Sequence, residues 1–155
     1  MGAIERFLEA AAAVGVDAQV RRFPEGTRTA ADAARAVGGG VDQIVKTLVF
    51  VVDERPVLAL TSGKNRVDPD KLAAVAGGTG ARRATPEEAR AATGFAVGGT
   101  PPFGFPSPVV AYLDPDLLAF EEVWVAAGTP DSVFPIPPAT LERVTGAIRA
   151  DFTEG

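Results

Sequence analysis

Residues 43–52 read QIVKTLVFVV, the longest apolar and β-branched run in the chain. Its length and composition are typical of a strand that is buried on both faces. Because side chains alternate along a strand, Lys46 shares its face with four hydrophobic residues, Ile44, Leu48, Phe50 and Val52. A lysine is seldom buried without a partner. Lys46 therefore either acts on a bound group, through its charge or a lowered pKa, or extends to water from the start of the strand.

The composition excludes several kinds of chemistry. The chain has 155 residues, of which 46% are hydrophobic, and we expect one domain over residues 1–155 with its own core. It contains no cysteine and no histidine. This excludes disulfides, thiolate metal ligands, a cysteine nucleophile and a histidine general base. We expect no metal and no other cofactor, so that any catalysis uses the remaining polar side chains, main-chain groups or water.

The charge balance limits the expected partners. Fifteen basic and twenty acidic residues give a formal net charge of −5, which argues against a broad nucleic-acid surface and against DNA. A short nucleic-acid end could still bind to a local patch. No apolar run reaches the roughly 20 residues of a membrane span, and residues 1–14 are typical of an amphipathic helix, not of a signal peptide. We expect a cytoplasmic protein without a membrane partner.

The hydrophobic periodicity predicts an α/β (α+β) fold. The expected helices cover about residues 1–14, 29–37, 68–76, 85–94 and 139–150. The expected strands cover about residues 16–23, 43–52, 56–61, 81–84, 109–113, 122–127 and 133–136. A tight turn joins the second and third strands, so strict β-α alternation fails. We therefore predict a curved, mixed and mainly antiparallel sheet, or an open barrel, surrounded by helices.

A second candidate site is the irregular stretch FAVGGTPPFGFPSP, residues 95–108. A segment of this length without regular structure is uncommon in a compact domain and is often functional. Gly98 and Gly99 could bring main-chain N–H groups close to a ligand, and Pro101 and Pro102 would stiffen the loop. Such amides could stabilise an oxyanion, and a nearby ammonium group would add to the effect. The alternative is an ordinary crossover loop.

Other residues are weaker candidates. Thr47 points to the opposite strand face from Lys46, and we assign it to the core. Asp131 and Ser132 lie in a turn that could approach the same cleft, although most such residues only cap turns. A small basic rim could form from five residues: Arg21, Arg22, Arg28, Lys64 and Arg66.

Two motifs resemble the signatures of the YbaK/EbsC family. The first is TAADAA at residues 29–34 followed by QIVKTLVF at residues 43–50. The second is GGTPPFG at residues 98–104, which is similar to the Gly-x-x-x-Pro loop of that family. Ala127-Gly128 and the proline-rich entry to the last helix resemble the C-terminal end of the family. The resemblance extends over nearly the whole chain, in order and with similar spacing.

The resemblance implies an activity. The family contains free-standing deacylases and the editing domain inserted in bacterial-type prolyl-tRNA synthetases, which hydrolyse the ester of mischarged aminoacyl-tRNA. It implies that Lys46 is the essential lysine, holding the terminal ribose-phosphate region or the carbonyl oxygen. The implied nucleophile is water or a substrate group, and the implied partners are the acceptor end of aminoacyl-tRNA and an aminoacyl-tRNA synthetase. The resemblance also implies that Gly98, Gly99 and Pro102 form the loop that positions the terminal adenosine and the carbonyl of the substrate. We expect five further residues to complete the substrate site: Thr29, Thr100, Pro101, Asp131 and Ser132.

The chain departs from the family at one point. Some members carry a histidine or another polar residue near the turn matched here by Asp131-Ser132, whereas this chain has no histidine. The amino acid that is edited therefore stays open. Two other functions stay open as well: a non-catalytic module that binds an aminoacyl-adenosine, a tRNA end or a synthetase, and an esterase of an unrelated small ester.

Overall fold

The computed structural model describes residues 2–24 and 29–155, and within them it contains five α-helices and eight β-strands. The helices are α1 (Ala3–Ala13), α2 (Ala30–Val37), α3 (Pro69–Val75), α4 (Pro86–Thr93) and α5 (Pro138–Thr145). The strands are β1 (Arg21–Arg22), β2 (Val45–Val52), β3 (Arg55–Ser62), β4 (Ala81–Arg83), β5 (Val110–Leu113), β6 (Val123–Ala126), β7 (Ser132–Ile136) and β8 (Ile148–Arg149).

The strands form two sheets that meet at β2. One sheet has the order β4-β2-β3-β5-β8 and the other has the order β1-β7-β6. The pairs β2–β3, β2–β4, β1–β7 and β6–β7 are antiparallel, whereas β3–β5 and β5–β8 are parallel. A parallel bridge between Ile44 and Trp124 links the two sheets. The prediction of a mixed, mainly antiparallel fold with helices is confirmed, with the pairing divided between two sheets.

The β2–β3 hairpin is the centre of the larger sheet. Its two-residue turn has Asp53 and Glu54 at φ values of 47° and 72°, the left-handed conformation that tight hairpins require. Side chains on both faces of β2 are buried in different clusters. Val45 and Val49 belong to the main core, whereas Phe50 and Val52 belong to a second cluster. The prediction of a strand that is buried on both faces is therefore confirmed.

Local capping signals begin three of the helices where the sequence predicts. The Thr29 hydroxyl accepts a hydrogen bond from the Asp32 N–H at 3.0 Å, and α2 begins at the next residue. Asp68 caps α3, with proline at the first helical position. Thr85 and Glu88 form a reciprocal capping box at α4. Each device involves residues at most three positions apart, so the sequence shows it directly.

The predicted strand over residues 16–23 is wrong for most of its length. Only Arg21–Arg22 pairs with a strand, in register with Val133 and Ser132 of β7. The apolar side chains that suggested alternation, Val16, Ala18 and Val20, pack against the main core. Apolar alternation reports contact with a core, whereas a strand also needs a neighbouring strand to bond with its main chain.

The predicted final helix over residues 139–150 is too long. Helix α5 ends at Thr145, because Gly146 takes the left-handed conformation at φ 66°. Ile148–Arg149 then forms β8 beside β5. The helical pattern over residues 139–150 would turn Leu141 and Ile148 inward together; Leu141 is buried, whereas Ile148 is 53% exposed.

Candidate active site

The candidate site lies at a gap in the strand pairing of β2. On this edge, β4 pairs with β2 only from Phe50 to Val52. The smaller sheet pairs only with Ile44, the residue before β2, through its bridge to Trp124. Between these contacts, the β2 edge from Val45 to Leu48 has no strand partner in the part of the chain that the structure describes. A cavity of about 440 Å³ opens along this edge.

The alternation of β2 side chains gives the cavity two halves. Lys46 and Leu48 line the cavity on one face of the strand, the face that they share with Ile44. Ile44 packs with Trp124 and with Ala33 of α2. We call this side the lysine half. Thr47 lines the cavity on the opposite face, between the buried Val45 and Val49. This side, the threonine half, also contains Ala84 and Ala89, which pack with the main core.

Lys46 is half-buried in the lysine half, and its ammonium donates a hydrogen bond to the Asn65 carbonyl. The Asn65 side chain donates in turn to the buried Asp114 carboxylate at 2.8 Å, which also accepts the Ser62 N–H at 3.0 Å. This network fixes the position of the Lys46 ammonium. Lys46 takes part in no ion pair among the described residues.

Burial is the main cause that lowers the pKa of Lys46 below its ordinary value of 10.5. The positive charges of Arg66 and Arg83 lower this pKa further, and Asp114 opposes them. Arg83 lies opposite Phe50 on β4, with its guanidinium 5.7 Å from the centre of the Phe50 ring, and it lines the cavity. The lysine half is therefore locally positive in an acidic protein and suits an anionic ligand.

The glycine-proline loop borders the cavity with only part of its length. Gly98 and Thr100 line the cavity, and Gly98 has a φ of 89°, which favours glycine. The Gly99 N–H donates to the Ala96 carbonyl at 3.1 Å, so this amide is used within the loop. A Cβ on Gly99 would lie 2.6 Å from the Thr129 main chain. Gly99 therefore allows the loop to pack against the 129–132 turn.

Pro101 and Pro102 are buried and do not line the cavity in the described part of the chain. Pro102 lines a separate depression of about 280 Å³, formed by the second half of the loop and by Val144 and Thr145. The two prolines therefore hold the loop in place without facing Lys46.

Asp131 and Ser132 stabilise the 129–132 turn. Ser132 is fully buried, and its hydroxyl lies 2.8 Å from the Thr129 hydroxyl. The Asp131 carboxylate accepts from the Thr129 hydroxyl at 2.5 Å and pairs with Arg22 at 3.0 Å. The hydrogen bond from Thr129, together with Arg22, lowers the pKa of Asp131. Neither residue lines the cavity as far as the chain is described.

Thr29 lines the lysine half, where it also caps α2.

Two residues of the predicted basic rim are neutralised by carboxylates: Arg22 pairs with Asp131, and Lys64 pairs with Asp116 at 3.5 Å. Arg21 lies over the Trp124 ring, with 5.0 Å between its guanidinium carbon and the ring centre. Arg28 lies outside the described residues.

Sequence reasoning missed two residues of the site, Thr47 and Arg83. Thr47 was assigned to the core, but it is half-buried and lines the cavity. Its hydroxyl is the one buried side-chain polar atom without a hydrogen-bond partner among the described residues. Both residues owe their position to the gap between the sheets, which no local pattern in the sequence indicates.

No group of three or more histidine, cysteine, aspartate or glutamate residues in the described ranges could hold a metal ion. None of the helices described is both long enough and apolar enough to cross a bilayer.

Residues 24–144 match the family model of the aminoacyl-tRNA editing domain. The chain belongs to this family. The match covers most of the sequence and includes β2, the loop at residues 95–108 and the 129–132 turn.

Solved structures and curated proteins agree with this assignment of the editing domain. The crystal structure of a "putative trans-editing enzyme for prolyl tRNA synthetase" is 48% identical, has a TM-score of 0.94, and covers 100% of this chain and 99% of that one. The uncharacterized protein YwhH of Bacillus subtilis is 30% identical over 125 residues, which are 80% of this chain and 79% of YwhH. The "Putative Cys-tRNA(Pro)/Cys-tRNA(Cys) deacylase EbsC" of Enterococcus faecalis is 27% identical, over 81% of this chain and 77% of EbsC. The resemblance to the YbaK/EbsC family is confirmed.

The editing domain thus places Lys46, Thr29, Gly98 and Thr100 around one cavity. It does not bring Gly99, Pro101, Pro102, Asp131 or Ser132 to the cavity surface. The arrangement is typical of a small-molecule site, because the walls are mainly apolar and a few polar groups converge on one side.

Proposed function

We propose that this editing domain is a hydrolase that deacylates mischarged aminoacyl-tRNA at its 3′-terminal ester. One observation carries the proposal: the half-buried Lys46 ammonium faces a mainly apolar cavity and has no carboxylate partner among the described residues. A cation in that position attracts an anionic group, and the mainly apolar walls accommodate the acyl side chain that is attached to it. The 3′ end of an aminoacyl-tRNA is such a ligand, because its phosphate precedes the esterified ribose.

The lysine half would receive the ribose-phosphate end. Lys46 would contact the phosphate or the ester carbonyl oxygen, and Arg83 would add charge from β4. The Asn65 carbonyl keeps the Lys46 ammonium oriented before the substrate binds. Positioning a charge before the reaction avoids reorganising it in the transition state, which is how electrostatic catalysis gains most of its effect.

The hydrolysis would proceed with little help from side chains. An aminoacyl ester is already reactive, and no aspartate, glutamate or histidine lines the cavity in the part that the structure describes. We assign the nucleophile to a water molecule that the vicinal ribose hydroxyl orients. Water adds to the carbonyl carbon, the bond to the ribose oxygen breaks, and that oxygen takes up a proton. Gly98 lines the cavity and is exposed, so its main chain is the part of the loop that we assign to stabilising the oxyanion.

The other predicted residues would act indirectly. Gly99, Pro101 and Pro102 would hold the loop, and Asp131 and Ser132 would hold the turn that Gly99 packs against. We propose that their substitution changes the position of Gly98 and thereby the rate, without removing a substrate contact.

Deacylation of a panel of mischarged tRNAs tests the proposal. Lys46→Ala is compared with wild type and with the control Lys71→Ala. Lys71 lies on α3, pairs with Asp151 and does not line the cavity. Loss of a positioned electrostatic group typically costs about 100-fold or more in rate, and we expect that loss for Lys46→Ala alone. Unchanged turnover by a folded Lys46→Ala protein would contradict the proposal.

The missing acid or base in the cavity lining also favours a second function. A non-catalytic module that binds the end of an aminoacyl-tRNA needs the same positive, mainly apolar cavity and no general base. Wild-type protein that binds a non-hydrolysable aminoacyl-adenosine analogue but hydrolyses no ester of the panel would have this function.

We further propose that residues 1–155 act as one domain in the cytoplasm, where aminoacyl-tRNA is made. An aminoacyl-tRNA synthetase is the proposed protein partner. Support for this comes from the similar structure that is described as a "putative trans-editing enzyme for prolyl tRNA synthetase".

A further inference from the structure

The Thr47 hydroxyl is a buried polar atom that the fold leaves without a partner. Its oxygen is inaccessible to solvent and forms no hydrogen bond with any described residue. Buried polar side chains nearly always have a partner, so an exception calls for an explanation. The side chain as a whole is half-buried and lines the cavity. A ligand in the cavity would supply the missing partner if the hydroxyl turned toward it.

The surroundings of Thr47 contain no other group that needs such a ligand. Val45 and Val49 flank it on the same strand face, and Ala84 and Ala89 complete an apolar wall. Thr100 lines the cavity from the glycine-proline loop, and its hydroxyl already donates to the Ala96 carbonyl at 3.1 Å. A ligand group that enters this half thus meets one hydroxyl in an otherwise apolar environment.

The hydroxyl can reach a ligand without movement of the strand. Rotation about χ1 exchanges the hydroxyl and the methyl group of a threonine, and strands allow more than one such rotamer. The exchange leaves the shape of the side chain nearly unchanged. In this structure the oxygen is turned from solvent, and a bound hydrogen-bonding group would favour the rotamer that faces the cavity.

We propose that the threonine half holds the side chain of the aminoacyl group and that Thr47 selects amino acids with a small hydroxylated side chain, seryl or threonyl. This inference rests on the proposed function of the cavity. The hydroxyl of a seryl or threonyl side chain can both donate and accept a hydrogen bond, so it can pair with the Thr47 hydroxyl in either direction. A charged side chain is unsuitable, because the cations of the site, Lys46 and Arg83, belong to the other strand face. An alanyl side chain would leave the Thr47 oxygen unpaired, and sites with an unpaired buried group discriminate against such ligands.

Binding of non-hydrolysable analogues tests the selection apart from catalysis. The probes are adenosine analogues that carry seryl or alanyl groups through a 3′-amide in place of the ester, and calorimetry measures their dissociation constants. One hydrogen bond in a buried site corresponds to roughly 5–10-fold in affinity, so wild type should bind the seryl analogue tighter by about that factor. Thr47→Val, which has the same shape, should bind both analogues equally. Thr47→Ser, which restores the hydroxyl, should recover the preference.

Each outcome decides between the alternatives. Equal binding by wild type, a preference that persists in Thr47→Val, or no binding of either analogue would overturn the inference. Deacylation of seryl- and alanyl-tRNA is measured in parallel. Seryl selection that depends on Thr47, without hydrolysis of either ester, would support the inference and contradict the proposed hydrolase. Hydrolysis of both esters at equal rates, with equal binding, would support the hydrolase and overturn the inference.

Discussion

Lys46 should give the activity an alkaline limit below the ordinary titration range of lysine. Burial foremost, and then Arg66 and Arg83, lower its pKa below 10.5 in the folded protein. If the ammonium acts as a cation, the rate should fall as the pH rises through this lowered pKa. Stopped assays of kcat/KM against pH, corrected for spontaneous ester hydrolysis, would show the fall. Lys46→Arg stays charged throughout, so the same fall in that variant would contradict the assignment.

The same shift has a consequence for stability with a definite sign. Between the lowered pKa and 10.5, the unfolded state binds the proton and the folded state has released it. Because the unfolded state then binds more protons, this group makes the free energy of unfolding rise with pH across that window. Thermal unfolding of wild type and Lys46→Met would isolate the contribution, and an identical slope in both proteins would show that Lys46 does not titrate there.

Thr47 should reduce the stability of the free protein. An unsatisfied buried hydroxyl costs about 1–3 kcal/mol, and valine has a higher strand propensity than most residues. We therefore expect Thr47→Val to raise the free energy of unfolding by about 1 kcal/mol. Urea denaturation measures the change. Thr100→Val is the matched control, because its hydroxyl is bonded to Ala96, and it should lower the free energy of unfolding. A Thr47→Val protein less stable than wild type would show that the hydroxyl is satisfied in solution.

At the scale of the element, local devices could be predicted and distant pairings could not. The caps at Thr29, Asp68 and Thr85 each depend on neighbours within three residues, and all three helices begin as predicted. The hairpin of β2 and β3 needs only a two-residue turn between two apolar runs. These features are decided by sequence that is continuous in the chain.

The cavity depends on a gap in the strand pairing of β2 that no local sequence pattern shows. The β2 edge is open because β4, about 30 residues downstream, is only three residues long and pairs with the end of β2. The chain contributes Trp124 to the other end of the gap from a strand about 80 residues away. Lys46 could be selected from its apolar surroundings alone. Thr47 could not, because its place in the cavity lining depends on a gap in strand pairing that only the folded topology reveals.

The ion pair at the start of α4 should stabilise the fold near neutral pH, and this stabilisation should be lost in acid. The Glu88 carboxylate accepts two hydrogen bonds of 2.8 Å from the Arg82 guanidinium and another from the Thr85 N–H. The bonds from Arg82 foremost lower the pKa of Glu88 from 4.5 to about 2. A carboxylate with a depressed pKa stabilises the fold above its unfolded value and loses that effect as the pH falls toward the folded value.

Melting temperatures between pH 5 and 2 would test this contribution. Glu88→Gln should be less stable than wild type near neutral pH, and the difference should shrink as the pH falls from about 4.5 toward 2. Glu87→Gln serves as the control, because it removes a charge from the same first turn and leaves the contact between Glu88 and Arg82 in place. A difference that stays constant across the acid range would mean that Glu88 is not held by Arg82 in solution.

For the whole molecule, the proposed function requires an acidic protein to bind a polyanion through a small area. The formal net charge is −5, yet the cavity lining brings together Lys46 and Arg83, with Arg66 close enough to affect the pKa of Lys46. Arg66 and Arg83 form no ion pair among the described residues. Recognition limited to the acceptor end would therefore involve few phosphates and a shallow salt dependence.

Arg83→Gln should weaken binding of an aminoacylated RNA minihelix and reduce the slope of log K against log salt by roughly 0.7–0.9, the value for one phosphate contact. KM should rise while kcat changes little, because Arg83 would bind the ribose-phosphate end in the ground state and the transition state alike. Arg90→Gln on α4 is the control, since Arg90 is exposed and lies outside the cavity lining. If both variants alter the slope equally, the RNA contacts a wider face of the protein, whereas an unchanged slope in Arg83→Gln would remove this arginine from the phosphate site.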